Sequence, residues 1–414
     1  MGASITAKEL KSRVQKSSLK EQLKLRKEQA QIAVETLGRM KGAAMKMGQL
    51  LSLDTSDVLP PELRKVFEAL QKDSPLVMGF ESINKILKSE FPEVFSEITR
   101  LSKKPIAAAS IGQVHDADFR GQRIAIKVQY PGIAKTIDSD LAILKKMAHG
   151  ALFLKGSSIK IDSVFSELSA TLKQEVDYLQ EKKNYLLYKK AIPPSEDWTY
   201  PQSIEALSSM QVISFEYIDA YSFTEWLKTN PPQEEKNKLA ETLLEIYCRE
   251  FFENRIVQTD PNPSNFLIRK KDLKLVLIDF GSVKLYQQSF VDQYKLLLQH
   301  VFYGRKEDSL EQIFAMNLLD SREGVDVQNA LYALLRTSCA IFSPEKQPFD
   351  LNDKNYFEET KKSAFNLMNR VQYSPPPHEL LFLHRKLGGL FLMLRDLNYK
   401  SDLTHYFERT TGKL

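Results

Sequence analysis

The sequence predicts an α+β protein with a small β-rich lobe and a larger helical lobe, preceded by a helical N-terminal extension. Three observations predict it. Apolar residues recur at three- and four-residue steps before Pro60, β-type runs concentrate between residues 101 and 218, and helical patterns dominate after Phe223. We therefore divide the chain at residues 1–100, 101–218 and 219–414. A chain of 414 residues is long enough to bury the core of such a multi-lobed protein.

The composition is that of an ordinary soluble globular protein, with 43% hydrophobic and 27% charged residues. A net charge of +5 is too small to predict nucleic-acid binding, although it suits a phosphate ligand or an anionic membrane surface. Cys248 and Cys339 lie far apart in helical patterns, so we expect a reducing compartment without disulfides. We find no signal peptide and no run of apolar residues long enough to span a membrane.

The extension contains two features of interest. A basic segment between residues 8 and 27 could contact anionic lipid or be a solvated arm. A long helical pattern follows and is stopped by Pro60-Pro61. In this helix, Lys46-Met47-Gly48-Gln49 interrupts an apolar seam, which taken alone predicts a helix–helix contact.

The elements of the small lobe follow from local patterns. Residues 106–119 predict two short strands around a turn of small residues, and residues 124–128 predict a further strand after a turn at Gly121. Helices are predicted at about 134–154 and 162–190. Residues 210–218 alternate in the manner of a strand.

Two spaced motifs in the helical lobe indicate phosphoryl transfer. Asp260 and Asn265 have D-x-x-x-x-N spacing, and Asp279 opens an Asp-Phe-Gly after an apolar run. Transfer from ATP needs one carboxylate facing the attacking hydroxyl or water, and an amide and a carboxylate that hold Mg²⁺ against the phosphates. These residues supply that set, and the order of the elements is that of a protein kinase with an N-terminal addition.

Two features of the small lobe suit a nucleotide. Lys127 lies inside an apolar strand and needs a partner, unless it reaches water from an edge strand. A run of small residues precedes Gly112 at the place of a kinase phosphate loop, and small side chains let backbone N–H groups approach phosphates. Alanine restricts φ relative to the glycine of an ordinary kinase loop, which predicts altered nucleotide handling. The alternative is that these residues form only a tight turn between strands. The small residues are Ala107, Ala108, Ala109 and Ser110.

Three carboxylates fall on the predicted helix around residues 174–184. Asp177 and Glu181 are four residues apart and are expected to share a face, whereas Glu175 is expected to point elsewhere. The different directions allow different roles. A solvated charged face is the alternative.

These motifs together resemble the UbiB-like family of atypical kinases, the ATPases that support ubiquinone biosynthesis. Residues 46–49 match its K-x-G-Q motif, residues 107–112 its Ala-rich loop, and residues 175–177 its E-x-D motif. The likeness runs from about residue 30 to at least 290. The catalytic loop departs from bacterial members, which often read His-Ala-Asp-Pro-His-Pro-Gly-Asn where this chain reads Gln-Thr-Asp-Pro-Asn-Pro-Ser-Asn. The nucleotide and catalytic positions of the family fall on Lys127, Glu181, Asp260, Asn265 and Asp279.

The resemblance implies that the N-terminal extension packs over the active-site cleft. Lys46, Gly48 and Gln49 would then lie near Glu175 and Asp177 at the phosphates and would block protein phosphorylation in trans. ATP hydrolysis with Mg²⁺ would be the reaction.

The resemblance also implies individual roles. Asp260 would orient the nucleophile, Asn265 and Asp279 would bind the metal, and Lys127 with Glu181 would position ATP or ADP. The hinge that reads adenine would lie at the segment Glu216, Tyr217 and Ile218.

The implied partners are lipid quinone precursors, an anionic membrane surface and quinone-biosynthesis enzymes. The implied location is cytoplasmic and peripheral to the inner membrane, with the mitochondrial matrix as the alternative. Three other functions stay open: a small-molecule kinase of the aminoglycoside or choline type, a non-enzymatic nucleotide-binding scaffold, and a true protein kinase.

Overall fold

A computed structural model describes residues 78–108, 111–153, 169, 172–173, 175–371, 373–374 and 377–412. The basic segment, the Lys46–Gln49 motif with its predicted packing over the cleft, and loop residues Ala109 and Ser110 lie outside the described residues.

The small lobe is built on an antiparallel sheet in the order β1-β3-β4-β6, with β2 added on β3. Arg120 and Gly121 join β3 to β4 in a tight turn, where both have positive φ (51° and 79°). The strands predicted in this lobe are confirmed. Their bounds are β1 Ile98–Thr99, β2 Ala107–Ala108, β3 Gly112–Phe119, β4 Gln122–Gln129 and β6 Val212–Glu216.

One face of this sheet is covered by helix α1 (Phe80–Glu90). Ile83 and Leu87, one turn apart, are fully buried against Ile124 and Ile126 of β4. Because α1 packs on the sheet and β1 pairs with β3, residues 80–99 belong with the small lobe. The described structure therefore differs from the division at residue 100.

The helical segment that follows is broken where the sequence pattern predicts continuity. Helix α2 spans Ile133–Phe153 and α3 spans Tyr178–Ala191. Asp177 is the N-cap of α3, and its carboxylate accepts from the backbone N–H groups of Leu179 and Gln180 at 3.0 and 3.1 Å. The prediction of a single helix over residues 162–190 is thus wrong. The Asp177 carboxylate caps a new helix, which begins at Tyr178.

The large lobe is mainly helical and carries its two motifs between short strands. The catalytic loop, residues 259–265, lies between β8 and β9, and the D-F-G segment lies between β10 and β11. Strand β11 pairs antiparallel with β8 and β9 with β10, so pairing brings the two loops side by side. The remaining strands, β12 and β13, pair with each other. The strands are β5 Trp198–Thr199, β7 Ala220–Ser222, β8 Ile256–Gln258, β9 Phe266–Arg269, β10 Leu275–Leu277, β11 Val283–Leu285, β12 Phe349–Asp350 and β13 Lys400–Ser401.

Helices surround these strands, and a π-helical turn (Cys248–Glu253) leads from α5 into β8. The hydrophobic core is continuous from α3 into the large lobe, where Phe280 packs on the rings of Tyr185 and Tyr188 at 5.4 and 5.1 Å. The helices are α4 Phe223–Lys228, α5 Gln233–Tyr247, α6 Gln288–Phe302, α7 Lys306–Ala315, α8 Val325–Cys339, α9 Lys354–Met368, α10 His378–Asp396 and α11 Thr404–Thr411.

Candidate active site

The centre of the site is an ion pair between the sheet and helix α3. Strand alternation turns Ala125 and Lys127 of β4 toward the cleft and Ile126 toward α1. The Nζ of Lys127 donates to both carboxylate oxygens of Glu181 at 3.0 Å. Burial alone would lower the pKa of Lys127, but the carboxylates of Asp279 and Glu181 outweigh it and raise that pKa well above its ordinary range. Lys127 is therefore a fixed cation in the cleft.

The catalytic loop and the D-F-G segment face this pair. Asp279 places Oδ2 3.6 Å from the Nζ of Lys127, and its Oδ1 accepts from the N–H of Gly281 at 2.9 Å. Asn265 donates from Nδ2 to Oδ2 of Asp260 at 3.1 Å. Each side chain is thus held by a specific partner.

One cavity brings most of the predicted residues together. The backbone N–H of Thr259 donates to Ser282 O at 2.8 Å, which ties the catalytic loop to the end of the D-F-G segment. The cavity lies between these loops and the sheet. Predicted residues in its lining are Ala107, Ala108, Lys127, Glu175, Glu181, Asp260, Asn265 and Asp279.

The Ala-rich loop ends at a position that requires glycine. A Cβ on Gly112 would lie 2.4 Å from the carbonyl oxygen of Val128 and 2.9 Å from the hydroxyl of Tyr178. The Nζ of Lys127 lies over the Tyr178 ring, 4.9 Å from the ring centroid. Close backbone approach therefore places Gly112, at the start of β3, beside Tyr178 and near the lysine.

The E-x-D carboxylates have different places from those expected. Glu175 is 7% exposed and lines the cavity, and its Cγ lies 3.6 Å from where a Cβ on Gly281 would be. Asp177 does not share a face with Glu181, because its carboxylate is turned onto the first N–H groups of α3 as the cap. Glu175, and not Asp177, is the carboxylate that joins Glu181 at the cleft.

The predicted hinge is only partly available to a nucleotide. The backbone N–H of Glu216 donates to Gln202 O at 2.7 Å, and that of Tyr217 to Arg123 O at 3.0 Å. Phe215, not Glu216 or Ile218, lines the cavity. The N–H groups of Glu216 and Tyr217 are used by the fold, so adenine recognition at this segment stays a prediction for its other backbone groups.

Helix α10 adds residues to the site that sequence reasoning missed. Arg385 donates from Nη2 to Oδ1 of Asp260 at 3.1 Å across 125 residues of chain, with side chains 6% and 7% exposed. A Cβ on Gly389 would lie 2.1 Å from the Cβ of Pro261 in the catalytic loop. The available signal was two adjacent cations, Arg385 and Lys386, in the middle of a helix whose central positions are mainly apolar.

The residues present fit a nucleotide with Mg²⁺. Mg²⁺ prefers hard oxygen ligands and is commonly held by one or two carboxylates together with substrate phosphates. Asn265 and Asp279 offer an amide and a carboxylate at one cavity, beside the cation of Lys127. Within the described ranges there is no group of three or more His, Cys, Asp or Glu that could hold a metal ion.

The two lobes, the strand-to-helix Lys–Glu pair and the facing D-x-x-x-x-N and D-F-G loops define a protein-kinase-like fold. The solved structure of Rv3197 with erythromycin from Mycobacterium tuberculosis is similar over 96% of this chain and 100% of that chain. The TM-score is 0.65 at 21% identity, which supports the fold alone.

The sequence carries the assignment further. Residues 70–313, more than half of the chain, match the ABC1 atypical kinase-like domain. The chain belongs to this UbiB-like family of atypical kinases.

Several curated relatives match most of the chain. It is 30% identical over 381 residues to "Atypical kinase COQ8B, mitochondrial" of Danio rerio, covering 91% of this chain and 60% of that protein. It is 31% identical over 371 residues to "Atypical kinase coq-8, mitochondrial" of Caenorhabditis elegans, covering 88% and 48%. It is 29% identical to "Atypical kinase COQ8, mitochondrial" of Saccharomyces cerevisiae, covering 86% and 70%. The chain thus spans about half to three fifths of the first two relatives.

Proposed function

We propose that this protein is a Mg²⁺-dependent ATPase of the atypical kinase class that supports isoprenoid quinone biosynthesis at a membrane surface, without protein kinase activity in trans. The observation that carries the proposal is the pair of the half-buried Lys127 with the buried Glu181, which faces Asp279 and the Asp260–Asn265 pair across one cavity. This is the set that ATP chemistry requires.

The residues divide the work. Lys127, kept cationic by Glu181 and Asp279, binds the α- and β-phosphates. Asn265 and Asp279 would hold Mg²⁺, which when bound would neutralise charge on the phosphates. Asp260 orients the attacking water and takes its proton.

The environment of Asp260 suits this role. Arg385 binds Oδ1 and Asn265 binds Oδ2, so the carboxylate is held from both sides. A catalytic group with a fixed orientation loses little entropy on reaching the transition state. The D-F-G carboxylate of Asp279 accepts a hydrogen bond from the N–H of Gly281 on one oxygen, and its other oxygen faces Lys127 at 3.6 Å.

The choice of quinone biosynthesis rests on the three relatives named above, all of which carry COQ8-type names marked mitochondrial. We propose lipid quinone precursors and quinone-biosynthesis enzymes as partners, and the matrix face or the cytoplasmic face of an inner membrane as the location. The basic segment at residues 8–27 would contribute about 1 kcal/mol per well-placed cation at an anionic surface. Among the described helices, none combines the length and apolarity needed to span a bilayer.

The test is phosphate release from ATP by the full chain, with anionic vesicles plus a phenolic quinone-precursor mimic, with neutral vesicles, and without lipid. The matched control is Asp260→Asn, which keeps the size of the side chain and one acceptor oxygen but removes the carboxylate, so only one of the two donors, Arg385 or Asn265, keeps its acceptor. We expect release that anionic lipid stimulates and that Asp260→Asn abolishes. Turnover that depends on a soluble alcohol instead would indicate a small-molecule kinase, and nucleotide binding without turnover would indicate a scaffold.

A further inference from the structure

A second buried ion pair lies beneath the site and takes no part in the chemistry described so far. Lys386 of α10 is 3% exposed and Glu250 of the π-helical turn is 0% exposed, with Nζ 3.2 Å from Oε2. Taking two charges out of water is costly unless further hydrogen bonds satisfy them. Here the hydroxyl of Tyr188 donates to Oε1 of Glu250 at 2.6 Å, and the N–H of Gln258 donates to the same oxygen at 3.2 Å.

The pair reaches the active site through one amide side chain. The Nζ of Lys386 donates to Oε1 of Gln258 at 3.2 Å. The Nε2 of Gln258 donates to the carbonyl oxygens of Asp260 at 2.8 Å and Asp279 at 3.4 Å. Gln258 therefore bridges the backbones of the catalytic loop and the D-F-G segment.

The chemistry of the lysine fixes the direction of this bridge. An ammonium group only donates, so the amide oxygen must face Lys386, and the NH₂ group must then face the two carbonyls. If the amide turned over, its oxygen would face two carbonyl oxygens and both bonds would be lost. Lys386 in turn keeps its place because Glu250 neutralises it within a site closed to water.

We propose that Lys386, held by Glu250, is a positioning residue that fixes the amide of Gln258 and, through it, the spacing between the catalytic loop and the D-F-G segment. This role rests on the proposed function, in which Asn265 and Asp279 bind the metal. Loss of the bridge should therefore weaken the Mg²⁺-dependent part of nucleotide affinity. Asn265 also donates to the carbonyl oxygen of Asp260, at 3.3 Å, so the bridge supports both metal ligands.

The network also reaches the nucleotide lysine. Tyr188 and Glu181 lie on the same helix, α3, two turns apart. Glu250 thereby connects the helix that holds Lys127 with the helix that holds the catalytic loop. Glu250, Gln258 and Lys386 do not line the cavity, so their effect is separate from direct contact with a ligand there.

The experiment measures ADP affinity of the full chain with and without Mg²⁺ by calorimetric titration, together with the melting temperature of the unliganded protein. Lys386→Met keeps an unbranched side chain of slightly shorter length and removes the donor. We expect the Mg²⁺-dependent gain in affinity to fall by roughly tenfold or more, as for other residues that support metal ligands. Affinity without Mg²⁺ should change little, because the lysine touches no nucleotide position.

A matched control separates positioning from stability. Leu390→Ala truncates a buried residue of the same helix outside the polar network, so it lowers the melting temperature and should keep the wild-type Mg²⁺ gain. An Mg²⁺ gain that Lys386→Met leaves intact, despite a lower melting temperature, would reduce the pair to a structural role and overturn the proposal.

A second variant keeps the proposal testable where Lys386→Met fails to fold. Gln258→Leu removes the bridge and leaves the ion pair, and it should lose the Mg²⁺ gain to the same extent; an unchanged gain would contradict the bridge. Where both variants fold, the double variant should lose no more than either single one. These affinities do not depend on turnover. Absence of phosphate release in the wild type would refute the proposed ATPase activity, and the Mg²⁺-dependent affinity would still test the positioning role of Lys386.

Discussion

The contact between Arg385 and Asp260 makes the sharpest prediction about catalysis and stability. Arg385→Met removes a cation from a pair whose side chains are 6% and 7% exposed. At the observed 3.1 Å, an effective dielectric constant of about 20 gives an attraction of about 5 kcal/mol. Breaking a buried pair by removing one partner costs about 3–5 kcal/mol. Because Asp260 opens onto the cavity, where water relieves part of its charge, we expect the lower end, about 3 kcal/mol.

A double-mutant cycle with Asp260→Asn measures this coupling directly. The free energy of unfolding is taken from urea titrations followed by the fluorescence of the two tryptophans, Trp198 in edge strand β5 and Trp226 in α4. Arg385→Met should destabilise the Asp260→Asn protein by at least about 1 kcal/mol less than it destabilises the wild type. Additive effects within about 0.5 kcal/mol would refute the pairing.

The same variant should act on turnover. Loss of one of the two groups that orient the carboxylate should lower kcat by about 100-fold, because misplacement of a catalytic group by about 1 Å has that effect. Arg385→Lys keeps the charge without the planar fork, so it should recover most of the stability and little of the turnover. Full turnover in Arg385→Lys would mean that charge alone is required.

The other predictions concern the metal, a helix glycine and a buried imidazole. Asp279→Asn should abolish the thermal stabilisation by Mg-ADP, and an undiminished shift would contradict the metal assignment. Gly389→Ala should lower the free energy of unfolding by about 1–3 kcal/mol, because the new Cβ would lie 2.1 Å from the Cβ of Pro261. Gly388→Ala is its matched control: nothing lies within 4 Å of the added atom, so helix propensity should stabilise by up to about 1 kcal/mol. Burial lowers the pKa of His115 below its ordinary value of 6.5, so the unfolded chain binds a proton first as pH falls. Stability should therefore decrease below about pH 6.5, by up to about 1.4 kcal/mol per pH unit, and His115→Gln should remove that part of the decrease in urea titrations.

The sequence anticipated the features that depend on local pattern. Alternation placed Lys127 on a strand, and motif spacing singled out Asp260, Asn265 and Asp279, which strand pairing brings into one cavity. Motif spacing was sufficient to identify these three residues because each motif lies in a short loop between two strands, and the strands pair with one another.

The break before α3 contradicts the prediction that Asp177 and Glu181 lie on one face of a continuous helix. Asp177 and Glu181 were interpreted by helix periodicity, although an aspartate before a helix is also a favoured N-cap. Asp177 adopts the N-cap position because its carboxylate there accepts hydrogen bonds from two backbone N–H groups of α3. On an exposed helix face the carboxylate would leave those N–H groups without this partner. Periodicity cannot distinguish these two outcomes when the residue lies near a helix end.

The contacts of α10 could not be read from one sequence at all, since they join residues more than a hundred positions apart. They nevertheless have a common logic. Arg385, Lys386 and Gly389 are spaced so that they share one face of the helix. That face meets Asp260, Gln258 and Pro261 in turn.

One rigid helix thus contacts nearly every residue from 258 to 261 through an ion pair, a hydrogen bond and a close van der Waals contact. A loop held at several points by a packed helix has its geometry before any nucleotide arrives, because interiors of this density deform little. Substitutions on this face of α10 should therefore act as active-site substitutions, although Arg385, Lys386 and Gly389 lie more than a hundred residues from both motifs. Core substitutions such as Leu390→Ala, on the same helix but outside these contacts, should lower stability and leave the geometry of the catalytic loop unchanged.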